Sequence, residues 1–258
     1  MAEFALPRTE EPFDFRHQAA TYARYRRDYS ADLYDAIVAR AGPAAGRLAI
    51  DVGCGTGFVT ASLDRYGWHA LGVDFSEPML AGAREAWAGR LRLLRARGEA
   101  LPVRDGRAAL VTCGTSFHWL APAPALAGFA RALAPGGWVA LFWRYAAPGE
   151  PSTRLVMEVL RATNSAVPPD FEQLRVHPID PFGGSGLESV PPVVLRSSLE
   201  FTAADFHGYM GTLEWIRRFA GAGHAAFMAR LRDVLAERHP GGFTERNEEY
   251  LFLARKPG

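Results

Sequence analysis

The sequence predicts an α/β protein built on a mostly parallel, doubly wound sheet with helices on both faces. Five short apolar runs alternate with helical patterns between Arg47 and Trp143. Strands joined by helices of that length form a parallel sheet with right-handed crossovers. The runs are apolar throughout instead of alternating, as strands covered on both faces are. A turn with glycines at alternate positions, Gly53, Gly55 and Gly57, joins the first run to the helix after it. Open α/β sheets bind their ligands at such strand ends.

Each element follows from local signals. Residues 1–14 read as a loose leader, with acids and prolines and without the basic start and apolar stretch of a signal peptide. From Phe15 to Arg40 the pattern is helical; Leu33, Ile37 and Val38 share a face, Ser30 is the N-cap of the second part, and Gly42-Pro43 breaks it. "RLAIDV" is the first strand and Phe58 to Tyr66 a helix. "HALGVD" is the second strand, and Ser76 caps a helix from Glu77 with Pro78 in its first turn. "LRLLRA" and "AALVTCG" are the third and fourth strands. Pro122 to Leu133 is a helix that stops before Pro135-Gly136-Gly137, and "WVALFW" is the fifth strand. Pro151 to Thr163 is helical. Asn164 to Pro192, rich in Pro and Gly, reads as an irregular connection. "VVLRSSLEF" is a strand, "TAADFHGYMGTLEWIRRFA" and "GHAAFMARLRDVLAERH" are helices, and "EEYLFLARK" is a closing strand. The segments expected are an N-terminal helical lid over 1–40, a ligand-binding core over 41–145, a substrate-side segment over 146–192, and 193–258 completing the same domain.

Composition narrows the function classes. The 258 residues are 48% hydrophobic and 22% charged, with a formal net charge of +1. No Lys/Arg run forms a nucleic-acid stripe, so no nucleic-acid partner is expected. No stretch approaches the ~20 apolar residues of a membrane span, so no membrane partner is expected either. Cys54 and Cys113 lie in apolar, strand-like contexts with no CxxC partner, which argues against a zinc site and favours a reducing, cytoplasmic setting. Nothing in the sequence specifies an oligomeric state.

The glycine turn asks for a ligand. Glycine has no Cβ to block a close approach and adopts positive φ. A dinucleotide phosphate turn wants G-x-G-x-x-G; here its third position is Phe58, and Gly57 lies one residue early. The Gly-Lys-Ser/Thr ending of a P-loop is absent. A nucleoside cofactor without phosphate remains. Asp74, at the end of the second strand, can accept from both hydroxyls of its ribose. Asp74 alone also fits NAD, so an NAD-dependent oxidoreductase stays the alternative, as does a non-catalytic cofactor-binding module; a strand-end turn role is the plain one.

In order, "DVGCGTG", "GVDFSEPML", "EALP", "FHWL" and "RALAPGGWVALF" resemble a class I S-adenosylmethionine-dependent methyltransferase. More narrowly the chain resembles the type 11 small-molecule branch, which includes trans-aconitate methyltransferase-like enzymes. The resemblance implies a Rossmann-like, seven-stranded sheet with an antiparallel final strand, S-adenosyl-L-methionine as cofactor, and a small-molecule acceptor methylated by in-line displacement. It implies that Gly53, Gly55 and Gly57 line the methionine part with Asp51 nearby, and that Asp74 holds the ribose. Phe75 and Met79 would neighbour the adenine, with Met79 alternatively a core residue. In "ARGEALP" Glu99, Leu101 and Pro102 match the family stretch, Ala96, Arg97 and Gly98 do not, and a backbone contact from Gly98 survives. Thr115 and Ser116 would lie near the sulfonium or amino-acid end. In "YARYRRDYS" Tyr22, Tyr25, Arg26 and Tyr29 match, whereas Arg27 and Ser30 replace prolines; Arg26 would meet the cofactor carboxylate, or be a solvated helix residue.

No metal is expected. Tyr22, Phe117 and Trp143 are candidates to face the sulfonium by cation–π attraction. His118 is the candidate general base, or it orders its loop by hydrogen bonding. His177, His207, His224 and His239 read as surface or packing residues. The candidate substrate residues are Trp143, Tyr209 and Trp215, with Phe171, Phe182, Arg217 and Arg218 in the same stretch; the two arginines equally suit a solvated helix face.

Overall fold

The computed structural model describes residues 19–164, 167 and 180–258. Phe171 and His177 lie outside the described residues. Two compact units divide the chain. The larger takes 27–145, 176–197 and 248–258; the smaller takes 1–26, 146–175 and 198–247. Residues 193–258, expected to complete one domain, are shared between them.

The larger unit carries the parallel core. Its elements are α2 (Ala31–Ala41), β1 (Leu48–Val52), α3 (Phe58–Arg65), β2 (His69–Asp74), α4 (Glu77–Ala86), β3 (Leu93–Arg95), β4 (Ala108–Gly114), α5 (Pro122–Ala132), β5 (Leu133–Ala146) and β6 (Glu188–Ser189). The preceding helix α1 spans Ala19–Tyr25. The sheet runs β3-β2-β1-β4-β5-β8-β6, and β7 (Val193–Phe201) also pairs with β8 (Phe243–Arg255). The first five strands are mutually parallel. β8 runs against β5, since Lys256 bonds Gly136 and Gly137 at one end while Ala147 bonds Arg246 at the other. The chain moves outward from β1 to β3 and returns to β4, so strand order reverses between β1 and β4. That reversal opens a crevice at the strand ends.

The sheet is apolar on both sides because two helical layers cover it. Leu33 and Ile37 of α2 and Val59 and Leu63 of α3 pack with Ala49, Leu110 and Phe142. Phe129 of α5 packs with Ile50, Val111 and Leu141 on the opposite face. α2 starts where expected: the Ser30 side chain accepts from the Leu33 amide, and Gly42 ends the helix at φ +76°.

The smaller unit is mainly helical. α6 (Pro151–Thr163), α7 (Ala203–Gly211), α8 (Glu214–Ala220) and α9 (His224–Arg238) enclose Leu160, Phe206, Ile216, Phe227 and Leu231. Among the described residues no helix is long and apolar enough to cross a membrane.

Three local features depart from the sequence reading. The sheet has eight strands, because the two-residue β6 pairs with Ala254 and Arg255 of β8; two residues carry no periodicity to read. β5 begins at Leu133 and runs through Pro135-Gly136-Gly137, with a register shift between Ala108 and Leu110 of its partner. The helix expected over 202–220 breaks at Thr212, whose hydroxyl and amide both donate to the Tyr209 carbonyl, and Leu213 is extended.

Candidate functional site

After Val52 the chain turns through Gly53-Cys54-Gly55-Thr56-Gly57 into α3. All three glycines hold positive φ, +69°, +53° and +87°. A Cβ on Gly53 would stand 2.5 Å from Ser116 Cβ, and one on Gly57 would stand 2.5 Å from Leu91 Cδ1. The turn spends its donors internally. The Gly53 and Cys54 amides donate to the Val73 carbonyl at 2.8 and 3.1 Å, and Gly57 to Cys54 at 2.9 Å. The Gly55 amide donates to Asp74 Oδ2 at 2.9 Å. A phosphate cradle needs such amides aimed at the anion; these four are already engaged.

Asp74 is the acidic group that faces the turn. Its Oδ1 accepts from the Ser76 amide at 2.8 Å. Each oxygen keeps a second lone pair for a hydroxyl donor. Burial pushes its carboxyl above the usual range, against the Ser76, Gly55 and Phe75 backbone donors that favour the ionised form. Phe75, beside it, is 47% exposed.

Asp51 lies one layer deeper. Its two oxygens accept from Thr60 Oγ1 at 2.7 Å and Thr112 Oγ1 at 3.0 Å. It is 1% exposed, and burial pushes its carboxyl up to about 7. Any influence on a ligand in the turn is therefore exerted through the strand end it braces.

The end of β4 closes the other side of the crevice. Thr115 holds φ +47°, its amide donates to the Phe142 carbonyl at 2.7 Å, and its Oγ1 bonds Tyr29 Oη at 2.6 Å. Ser116 Oγ donates to the Val52 carbonyl at 2.9 Å and stands the same distance from Cys113 Sγ. The single turn Phe117–Trp119 follows. The Trp143 indole N–H donates to His118 Nδ1 at 3.3 Å. An indole nitrogen can only donate, so Nδ1 is an acceptor and the proton of the neutral ring sits on Nε2.

Several of the expected site residues lie in the interior. Trp143 is wholly buried and packs edge-on against Phe252, so it reaches a site through His118 and not by its own surface. Phe117, 2% exposed, and Met79, 3% exposed, are interior residues, which leaves Phe75 as the exposed apolar neighbour of Asp74. Phe182 is likewise in the core of the larger unit. Gly98 is buried where a Cβ would meet Val52 Cγ1 at 2.8 Å, so close packing requires the glycine. Glu99 accepts from the Ala121 amide at 3.0 Å and fixes the entry to α5.

The smaller unit gathers its own set. The Arg26 guanidinium lies 4.7 Å from the Tyr22 ring centre and 5.2 Å from that of Tyr209, and donates to the Thr212 carbonyl at 3.1 Å. Tyr209 stacks on Phe201 and Trp215 packs edge-on against Phe219. Arg218 pairs with Glu214 one helical turn away, while Arg217 is exposed. His207 bonds the Met228 carbonyl.

Two residues of the larger unit escaped the sequence reading. Trp87 Nε1 donates to the Thr56 carbonyl at 2.9 Å and clasps the glycine turn. Tyr29 reaches Thr115 from a segment that matched a motif but had no assigned role. A long-range bond of either kind leaves no mark in local periodicity. Among the described residues no group of three or more His, Cys, Asp or Glu side chains is placed to hold a metal ion.

The doubly wound sheet and its glycine turn resemble those of solved methyltransferase structures. Residues 50–141 match the type 11 family model described as a methyltransferase domain. The chain is 32% identical over 136 residues to an uncharacterised methyltransferase of Mycobacterium tuberculosis, covering 53% of this chain and 54% of that one. It is 38% identical over 103 residues to a ubiquinone biosynthesis O-methyltransferase of Methylococcus capsulatus, covering 37% of this chain and 42% of that one. The chain thus spans about half the length, or less, of these curated relatives. A solved structure described as a type II methyltransferase from Anaeromyxobacter dehalogenans superposes with a TM-score of 0.64 at 19% identity, covering 90% of this chain and 99% of that one. The Asp74 carboxylate, beside a turn whose amides are engaged within the protein, fits S-adenosylmethionine, whose nucleoside carries no phosphate.

Proposed function

We propose that the protein is an S-adenosylmethionine-dependent methyltransferase acting on a small-molecule acceptor. The observation that carries this reading is the use of the glycine-turn amides. With Gly53, Cys54, Gly55 and Gly57 all donating within the protein, the turn has little to offer a pyrophosphate, which disfavours NAD. It still offers the Asp74 carboxylate beside the turn, which suits an uncharged ribose.

When bound, S-adenosylmethionine supplies an electrophilic methyl group on a cationic sulfur. The residues then have defined tasks. Asp74 accepts from the ribose hydroxyls while Gly55 and Ser76 hold its oxygens in place. Gly53, Gly55 and Gly57 line the methionine part, and Phe75 offers an apolar face to the adenine. Thr115 and Ser116 bound the amino-acid end. Asp51, Gly98 and Glu99 act by bracing the strand ends and loops around these groups. His118, whose Nδ1 accepts from the Trp143 indole, orders the loop after β4. Positioning for in-line displacement is then the chief source of rate. The name of the ubiquinone-pathway relative supports a small-molecule acceptor.

Calorimetric titration of the full chain with S-adenosylhomocysteine and with NAD tests the reading. We expect the first to bind and the second not. Asp74→Ala should weaken S-adenosylhomocysteine by about tenfold or more, since hydrogen bonds to charged groups contribute about 1.5–3 kcal/mol. Binding of NAD alone, or an Asp74→Ala protein with unchanged affinity, would overturn it.

A further inference from the structure

Arg144 of β5 and Glu249 of β8 form a buried ion pair in the larger unit, their side chains 9% and 0% exposed. Arg144 Nε and Nη2 donate to Glu249 Oε1 at 2.8 and 2.7 Å. The pair does more than neutralise itself. Arg144 Nη1 donates to the Arg27 carbonyl at 3.2 Å, and Nη2 also donates to the Asp28 carbonyl. Glu249 accepts from the Ser30 amide at 3.1 Å and from the Ser30 hydroxyl at 2.5 Å. The guanidinium lies 4.8 Å from the centre of the Tyr29 ring. Four consecutive residues are thus held on two strands by one pair of charges. The pair is costly to bury; its remaining contacts go to this segment and to the Ser197 hydroxyl, which donates to Glu249 Oε1 at 3.3 Å.

What is held is Tyr29. Its ring meets Phe142 edge-on at 4.7 Å and lies so close to Gly114 that a Cβ there would stand 3.3 Å from Tyr29 Cε2. Its hydroxyl ends on Thr115 Oγ1. Thr115 occupies the left-handed region, which a non-glycine residue holds only when its surroundings impose it. The next residue, Ser116, lies where a Cβ on Gly53 would be. An unbroken chain of contacts therefore runs from the ion pair, through Tyr29 and the turn after β4, to the glycine turn.

We propose that Arg144 and Glu249 act as a buckle on residues 27–30, and that Tyr29, so held, is a positioning residue for the Thr115–Ser116 side of the cofactor site. The inference rests on the S-adenosylmethionine reading for its ligand, but the buckle itself does not.

Two variants of the full chain test it. Tyr29→Phe keeps the ring and its packing and removes only the hydroxyl. Arg144→Lys keeps the charge opposite Glu249 but cannot also reach two carbonyls. We expect each to raise the dissociation constant for S-adenosylhomocysteine by about threefold to tenfold, the range one hydrogen bond commands. Hydrogen exchange read by mass spectrometry should show residues 27–30 exchanging severalfold faster in Arg144→Lys, with β1 and β4 unchanged. Affinities within twofold of wild type in both variants would overturn the role of Tyr29. Unchanged exchange over 27–30 would overturn the buckle. If wild type itself fails to bind S-adenosylhomocysteine, the cofactor reading falls and the exchange measurement still decides the buckle.

Discussion

Asp51 shows what a buried carboxylate does to this fold. Burial lifts its carboxyl from 3.8 to about 7, although Thr60 and Thr112 donate to it. The folded protein therefore keeps the proton over a range in which the unfolded chain has lost it. Stability from this group is fully present below about pH 4, is lost as pH rises toward 7, and stays level beyond. Asp51→Asn removes the titration and keeps the shape. Urea unfolding at pH 4.5 and 7.5 should show wild type losing stability relative to Asp51→Asn, by roughly 2–4 kcal/mol between the two. Parallel pH dependence in the two proteins would rule this out. Asp51 was legible in the sequence as an acid beside the glycines. Its burial was not, because that depends on Thr60 and Thr112, which reach it from α3 and β4.

At the scale of elements, the turn between β1 and α3 is the most constrained piece of backbone. Gly53 combines positive φ with a steric limit, since Ser116 is held by Val52 and Cys113 and cannot retreat. Gly46 has a similar φ, +72°, with open space around it. Gly46→Ala should lose about 1–2 kcal/mol of stability, the left-handed penalty alone. Gly53→Ala should lose roughly twice that, overpacking adding about 1–3 kcal/mol, and should bind S-adenosylhomocysteine at least tenfold more weakly. Equal losses in the two would show that Ser116 yields. Elements with strong local signals were read to the residue: β2 is "HALGVD", β7 is "VVLRSSLEF" and α6 is Pro151–Thr163. The break between α7 and α8 was missed because it is made by a Thr212 side-chain bond within a sequence whose helical period continues through it.

Over the whole molecule, each unit is assembled from three separated stretches of chain, a division that local patterns along a sequence cannot display. Phe227 is fully buried in the smaller unit. Phe227→Ala should lower stability by about 3–5 kcal/mol and speed amide exchange in α6 and α9 while β1 and β4 keep their protection; simultaneous loss in both sets would mean that the units unfold as one. The placement of β8 reaches into how the molecule forms. Its bonds span separations of 105 residues to Arg144 and 119 to Gly136, and Lys256 just after it bonds Leu133 across 123. The parallel pairs of the core close over far shorter loops: β1 and β2 pair Leu48 with His69. Because chain entropy delays distant pairings, we expect β8 to join a sheet whose parallel half already exists. The seat for a nucleoside can thus be laid down early on the folding route, with Glu249 arriving late to fasten residues 27–30.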